Sequence, residues 1–250
     1  MKDPRKEDGM YQESIKNLRT NLLFIGMNIK TVLMTSCFPN EGKSDVTFQL
    51  SRELGNIDKR VLLLDCDIRK SEYIIRYDVG QSVKGLSHFL SGQAGEEEIV
   101  YHTNFKNMDI IFAGSLAPNP TELLEGEAVG ELLKDLREKY DYIIIDTPPA
   151  STMSDALIVA KWCDGAILVV ESGRVSYRVA RRVKQLLQQT GCRILGAVLN
   201  KVDTHAGGYG HYGRYGYYGY GRYGYYGQGY YEKSEESDAG SGEAKKAVES

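Results

Sequence analysis

The sequence predicts an α/β fold: a mostly parallel β-sheet flanked by helices and followed by a disordered Gly/Tyr-rich C-terminal tail. Three observations carry this reading. Short, nearly continuous runs of Val, Ile and Leu recur as far as Asn200, as parallel strands buried on both faces require. Segments with apolar residues at helical spacing separate these runs. Beyond Asp203 the periodicity stops, and glycine and tyrosine take over.

The elements follow in order. Ile15, Leu18, Leu22 and Leu23 recur at helical spacing between Gln12 and about Gly26, which predicts a helix. The apolar runs Thr31–Thr35, Val61–Leu64, Asp109–Phe112, Tyr142–Ile145, Ala166–Val170 and Ile194–Leu199 read as strands. Helical patterns lie between them over about 44–57, 126–139, 154–162 and 175–189. Alternation of this kind predicts a parallel sheet with right-handed crossovers. Residues 1–204 then form one domain, and 205–250 a flexible tail. The Gly/Tyr tract and the small polar residues after it cannot bury enough apolar surface to offset the entropy of ordering.

Composition narrows the function. A chain of 250 residues with formal net charge −3 has room for one domain and a tail, and no global attraction for nucleic acid or anionic lipid. No apolar run approaches the roughly 20 residues needed to span a bilayer. The N-terminal MKDPRKEDGMYQES carries no apolar signal core, so a cytoplasmic protein is expected. Cys37, Cys66, Cys163 and Cys192 have neither CxxC spacing nor a histidine pattern, which argues against zinc and for reduced thiols.

Directly after the first strand comes SCFPNEGKSD, residues 36–45. There a strand turns into a helix, and free backbone N–H groups at the helix start cradle phosphate oxygens. Pro39, Asn40, Glu41, Gly42, Lys43, Ser44 and Asp45 are the expected nucleotide-binding stretch, with Lys43 reaching the terminal phosphates and Ser44 offering a hydroxyl to Mg²⁺. Two further motifs end apolar strands: VLLLDCDIR, with Asp65, Asp67 and Arg69, and YIIIDTPP, with Asp146. In parallel sheets, strand ends face the ligand crevice. A lone GKS reads equally as an ordinary helix start, and a lone strand-end aspartate as a cap or turn residue. The three together point to ATP with Mg²⁺ on a P-loop NTPase-like fold. Cys37 stands where the loop consensus has its first glycine, and Asp45 where a small hydroxyl residue usually follows. A carboxylate at position 45 must point away from the triphosphate or reach the metal shell. Cys37 and Cys66 flank the site either as a redox-sensitive pair or as ordinary buried thiols.

The combination PxxGKS, LLLDxDxR and IIIDTPP resembles the bacterial tyrosine kinases that control capsular and exopolysaccharide synthesis, of the type made as a separate cytoplasmic chain. NLRTNLLF (17–24), GLSHFLSG (85–92) and GSLAPNPTELL (114–124) fit the same resemblance, which covers roughly residues 10–203. It implies Lys43, Asp65, Asp67 and Arg69 as the catalytic set, with Asp65 receiving or orienting the tyrosine hydroxyl proton. Ser44, Asp67 and Asp146 would then hold Mg²⁺. Arg69 would steady the transferred group or pair with a neighbouring carboxylate. Asn200 would bond the adenine edge or serve as a turn residue. The resemblance also implies a ring-forming homo-oligomer, a membrane-anchored chain-length-determinant protein as activator that recruits the kinase to the inner face of the membrane, and a protein-tyrosine phosphatase. The family's ring-contact signature Glu-x-x-Arg-x-x-Arg here reads Glu13, Lys16, Arg19, and lysine lacks the bidentate fork. The MinD/ParA-like switch ATPases share the fold and are the alternative, but their signature lysine, five residues before Lys43, is Phe38 here.

Within that resemblance the tail is the substrate. Tyr209, Tyr212, Tyr215, Tyr217, Tyr218, Tyr220, Tyr223, Tyr225, Tyr226, Tyr230 and Tyr231 are candidate phosphoacceptors kept apart by glycine. Arg214 and Arg222 are too few cations for RNA binding, whereas aromatic self-association remains a second use of such a tract.

Overall fold

The computed structural model describes residues 9–26, 28–76 and 83–203. The tyrosine cluster and the domain boundary expected at 204 lie outside them.

A seven-stranded sheet has the order β3-β4-β2-β5-β1-β6-β7. The strands are β1 (Thr31–Ser36), β2 (Val61–Asp65), β3 (Val100–His102), β4 (Met108–Ile111), β5 (Tyr142–Asp146), β6 (Gly165–Glu171) and β7 (Ile194–Asn200). All neighbours pair in parallel except β3, which runs antiparallel to β4 at one edge. The helices are α1 (Gly9–Ile25), α2 (Lys43–Asn56), α3 (Glu72–Arg76), α4 (Leu86–Leu90), α5 (Glu96–Ile99), α6 (Pro120–Glu125), α7 (Ala128–Lys139), α8 (Asp155–Ala160) and α9 (Tyr177–Gln189).

Period-two alternation divides the core between the sheet faces. On one face Val32, Met34, Ile144 and Val169 pack against Ile15 and Leu22 of α1 and Val46, Leu50 and Leu54 of α2. On the other, Leu33, Leu62, Ile145 and Leu168 meet Leu132 and Leu136 of α7, Ile158 of α8, and Val183 and Leu187 of α9. Every residue of β1, β2 and β5 is buried, which is why these strands read as unbroken apolar runs. The first strand, the one before the phosphate loop, thus sits mid-sheet between β5 and β6. Its C-terminal end opens between helices on opposite faces, the usual place for a ligand crevice. Among the described residues no helix is long and apolar enough to cross a membrane.

Candidate active site

The loop from Pro39 to Asp45 forms a continuous wall of a cleft of about 400 Å³ at the C-terminal ends of the central strands. Its turn depends on backbone freedom at one position. Gly42 caps α2 in the left-handed region at φ 83°, and a Cβ there would lie 2.2 Å from Nδ2 of Asn200. Asn200 in turn donates that amide to the carbonyl of Glu41 at 2.9 Å, so the end of β7 holds the loop from behind. The buried Glu41 carboxylate accepts the Cys37 N–H at 3.0 Å, bracing the loop where its first glycine is missing. Burial pushes the Glu41 carboxyl above the usual carboxylate pKa range.

Lys43 and Ser44 begin α2 beneath this wall. The Lys43 ammonium donates to Oδ1 of Asp146 at 2.5 Å and to Oγ of Ser44 at 3.0 Å. Asp146 is brought there by pairing of β5 with β1 and β2, whose register sets it opposite both Met34 and Asp65. Thr47, one turn along α2, also donates to Asp146, at 3.3 Å.

The two carboxylates of the Asp-x-Asp motif do not share a surroundings. Asp65 is fully buried, and its oxygens accept the Asp67 N–H at 3.0 Å and the Ser71 hydroxyl at 2.7 Å. Burial, with Asp146 beside it, pushes the Asp65 carboxyl up to about 8. Asp67 lines the cleft. Burial pushes its pKa upward as well, with Lys43 pulling in the opposite direction. The cleft-facing carboxylate is therefore Asp67, and Asp65 supports it from behind through the Asp67 N–H. Asp146 and Asn200 also stand behind the wall rather than on it.

Arg69 reaches the cleft but spends its fork on a neighbour. Nε and Nη2 donate to the two oxygens of Asp155 at 2.6 and 3.1 Å, and Nη2 also donates to Thr121 at 2.7 Å. Asp155 is the first residue of α8 and fully buried, so these contacts tie the turn after β2 to α6 and α8. Asp45 belongs to the cleft wall and is buried, and its Oδ2 accepts the Tyr11 hydroxyl of α1 at 2.6 Å. Arg19 pairs with Glu53 of α2 at 3.2 Å, while Lys16 pairs with Glu13 at 3.5 Å on the exposed face of α1. Cys37 and Cys66 are fully buried free thiols; burial pushes Cys37 up to about 12 and Cys66 also upward.

Sequence reasoning missed Tyr11, Tyr73, Thr121 and Asp155. Tyr73 donates to the Ser44 carbonyl at 2.9 Å from the helix after the Asp-x-Asp motif. None of these belongs to a motif; each is recognisable only by what it touches.

A left-handed glycine whose side-chain space is filled, helix-start N–H groups, and a lysine and serine facing a carboxylate together fit a nucleotide triphosphate. Among the described residues no three His, Cys, Asp or Glu side chains gather to hold a metal. The Ser44 hydroxyl and the Asp67 carboxylate on the cleft are oxygen donors, the ligand type that Mg²⁺ takes beside phosphate and water.

A model of the AAA domain family matches residues 40–191. The tyrosine-protein kinase CpsD of Streptococcus agalactiae is 36% identical over 204 residues, 82% of this chain and 89% of that one. The chain belongs to the bacterial tyrosine-protein kinase family. Among solved structures, the kinase domain of the Escherichia coli tyrosine kinase ETK superposes with a TM-score of 0.75 at 31% identity, covering 78% of this chain and 77% of that one. The septum site-determining protein MinD of Pyrococcus horikoshii, solved with Mg-ADP, reaches 0.60 at 28% identity, covering 68% of this chain and 69% of that one. Both likenesses share the P-loop NTPase-like sheet, and the tyrosine-protein kinases match it over more of the chain.

Proposed function

We propose that the protein is an ATP- and Mg²⁺-dependent protein-tyrosine kinase that phosphorylates, in trans, the tyrosine cluster of a second copy, Tyr209 to Tyr231. The observation that supports it is the convergence on one cleft of Lys43 and Ser44 from the start of α2 and Asp67 from the turn after β2, with Asp146 held behind Lys43. ATP supplies the phosphoryl group, and Mg²⁺ offsets its charge. Lys43 and the α2 N–H groups bind and orient the phosphates. Asp67, which lines the cleft where the expected acceptor Asp65 does not, would accept the phenol proton as the phenol oxygen bonds to phosphorus and the bond to the leaving diphosphate breaks. Ser44, Asp67 and Asp146 are the residues that would orient the metal. Arg69 acts by fixing α8 beside the cleft.

By analogy with the related capsule and exopolysaccharide kinases, the protein would work as a homo-oligomeric ring in the cytoplasm. A membrane-anchored chain-length-determinant partner would recruit and activate it, and a protein-tyrosine phosphatase would reset it. Each phosphate adds about −1.5 to −2 charges at neutral pH, so heavy modification would drive tails apart and loosen the ring.

Intact mass after incubation with ATP and Mg²⁺, beside a Lys43→Met control, tests the assignment. Serial phosphate additions mapping beyond Tyr209, absent from the control, are expected. Hydrolysis of ATP with no phosphate retained, even with an activator peptide present, would support the MinD-like switch ATPase that the fold also favours. Phe38 at the signature-lysine position argues against that outcome.

A further inference from the structure

Six tyrosines lie among the described residues, and the fold engages five of them. Tyr11 donates to Asp45, Tyr73 to the Ser44 carbonyl and Tyr140 to Asp109. Tyr142 is buried, and Tyr101 meets the Phe112 ring with centroids 5.6 Å apart. Tyr177 differs from all five. It is 78% exposed and has no hydrogen-bond or ring partner among the described residues. It is the first residue of α9, directly after the loop 172–176 that leaves the C-terminal end of β6, so it stands at the same end of the sheet as the cleft. The N–H of a first helical residue has no acceptor within its helix. Ser176, at the cap, makes no side-chain hydrogen bond to the turn. Its carbonyl receives the N–H groups of Val179 and Ala180, and opening those two bonds lets Tyr177 extend from the surface.

Beside the phenol, between α9 and β7, runs an open groove of about 610 Å³. Tyr177, Arg181, Lys184 and Gln188 all line it, and their spacing of i, i+4, i+7 and i+11 sets them on one helical face. Helical side chains lean toward the N-terminus, so Arg181 leans toward Tyr177. Arg181 and Lys184 are exposed, and neither has an ion-pair partner among the described residues. Arg19, Arg69 and Arg137, by contrast, each reach a carboxylate. Helix α9 holds no acidic residue that could serve the two cations.

We propose that Tyr177 is a phosphoacceptor on the folded domain, separate from the tail cluster, and that Arg181 and Lys184 hold the phosphate it receives; the inference rests on the kinase reading above. In the step, the Tyr177 phenol oxygen bonds to the γ-phosphorus of ATP held by a second copy. The bond to the leaving ADP breaks, and the phenol proton passes to the Asp67 carboxylate of that copy. The product brings about −1.5 to −2 charges and three acceptor oxygens to a helix face that offers only cations. The Arg181 fork takes two oxygens, and the Lys184 ammonium takes the third. Charge added at Tyr177 is thus neutralised by its own chain, whereas charge added to the tail accumulates. The two kinds of site therefore serve different ends: tail phosphates drive copies apart, and the Tyr177 phosphate alters the α9 surface of the copy that carries it.

The test uses the full-length chain, stripped of phosphate by a tyrosine phosphatase, incubated with ATP and Mg²⁺, and digested with a protease that cleaves before aspartate. Cleavage at Asp164 and Asp203 releases residues 164–202, whose one tyrosine is Tyr177, apart from the tail cluster. One phosphate on this peptide, located on Tyr177 by fragmentation and absent from Tyr177→Phe, is expected. Phosphate on the tail peptide with none on 164–202 overturns the proposal while the kinase reading stands. Phosphate on neither peptide overturns the kinase reading and this proposal with it. The phosphorylated chain is then returned to the phosphatase, and both peptides are followed in time. Release from Tyr177 should be about fivefold slower than release from the tail, because charge-assisted hydrogen bonds cover its oxygens. In Arg181→Gln/Lys184→Gln the ratio should fall below about twofold. A ratio unchanged in that variant overturns the role given to the two cations.

Discussion

Removing one hydroxyl tests how the fold accommodates an acidic residue next to its phosphate loop. Tyr11 donates to Asp45 at 2.6 Å, and Asp45 is only 3% exposed. A hydrogen bond to a charged partner contributes about 1.5–3 kcal/mol, and a buried acceptor that loses its donor forfeits a similar amount. Tyr11→Phe keeps the ring and removes only the donor, so about 1.5–3 kcal/mol of stability should be lost. In a domain of this size that corresponds to a fall of roughly 4–10 °C in melting temperature. It also lowers the urea midpoint by about 0.5–1 M. Asp45→Ser in the Tyr11→Phe background should return part of the loss, because the carboxylate that lost the Tyr11 donor is gone. The assay is a double-mutant cycle by urea denaturation, read by circular dichroism, with a coupling energy of about 1–2 kcal/mol expected. Nucleotide affinity should follow the same order: weakened in Tyr11→Phe and restored in the double variant. If the two substitutions prove additive, or Tyr11→Phe shifts the midpoint by less than about 0.2 M, the contact does not restrain Asp45.

Other expectations follow from the same geometry. Lys43→Met strands the buried Asp146 and should cost about 3–5 kcal/mol, with much of it recovered in Lys43→Met/Asp146→Asn; urea midpoints of the three variants measure this, and kinase controls should be run well below the lowered midpoint. Gly42→Ala combines left-handed strain of about 1–2 kcal/mol with displacement of Asn200 from the Glu41 carbonyl. Calorimetry with a non-hydrolysable ATP analogue should show binding lost in Gly42→Ala and partly regained in Gly42→Ala/Asn200→Ala. The hydrogen bond and charge of Asp109 hold His102 above the usual imidazole range. That contribution is complete below about pH 6.5 and fades as pH rises through the elevated folded value. Urea midpoints of wild type should thus decline relative to His102→Gln between about pH 6 and 8; parallel curves would show that the pair contributes nothing.

How much of this was legible depended on whether a residue's meaning was local. β2 and β5 were readable because burial on both faces forces continuous Val, Ile and Leu. The phosphate loop was readable because its chemistry sits in one contiguous stretch. The three-residue β3 was not: it is half-exposed, reads simply VYH, and exists only because β4 lies beside it. Helices α3 to α6, of four to six residues, are too short to show a period. Within the site, Asp65 and Asp67 differ by nothing the sequence expresses. Their separation into a buried and a cleft-facing carboxylate comes from the Ser71 hydroxyl and the neighbouring Asp146. The partners of Asp45 and Arg69 lie 34 and 86 positions away, beyond any motif.

The pairing of Asp65 opposite Asp146 has a consequence for how such a chain can change over generations. Between the two residues lie β3, β4 and several helices, and the loops joining them can lengthen or shrink without altering which carboxylate faces which. Inside 61–65 or 142–146, however, losing or gaining one residue turns alternate side chains to the opposite face. Asp146 would then leave Lys43 while every apolar neighbour changed layers. Deletion scanning through this region should find tolerated gaps in the exposed loops between the elements and none within the two strands. Inheritance is free to edit the distance between the two motifs, but not their parity.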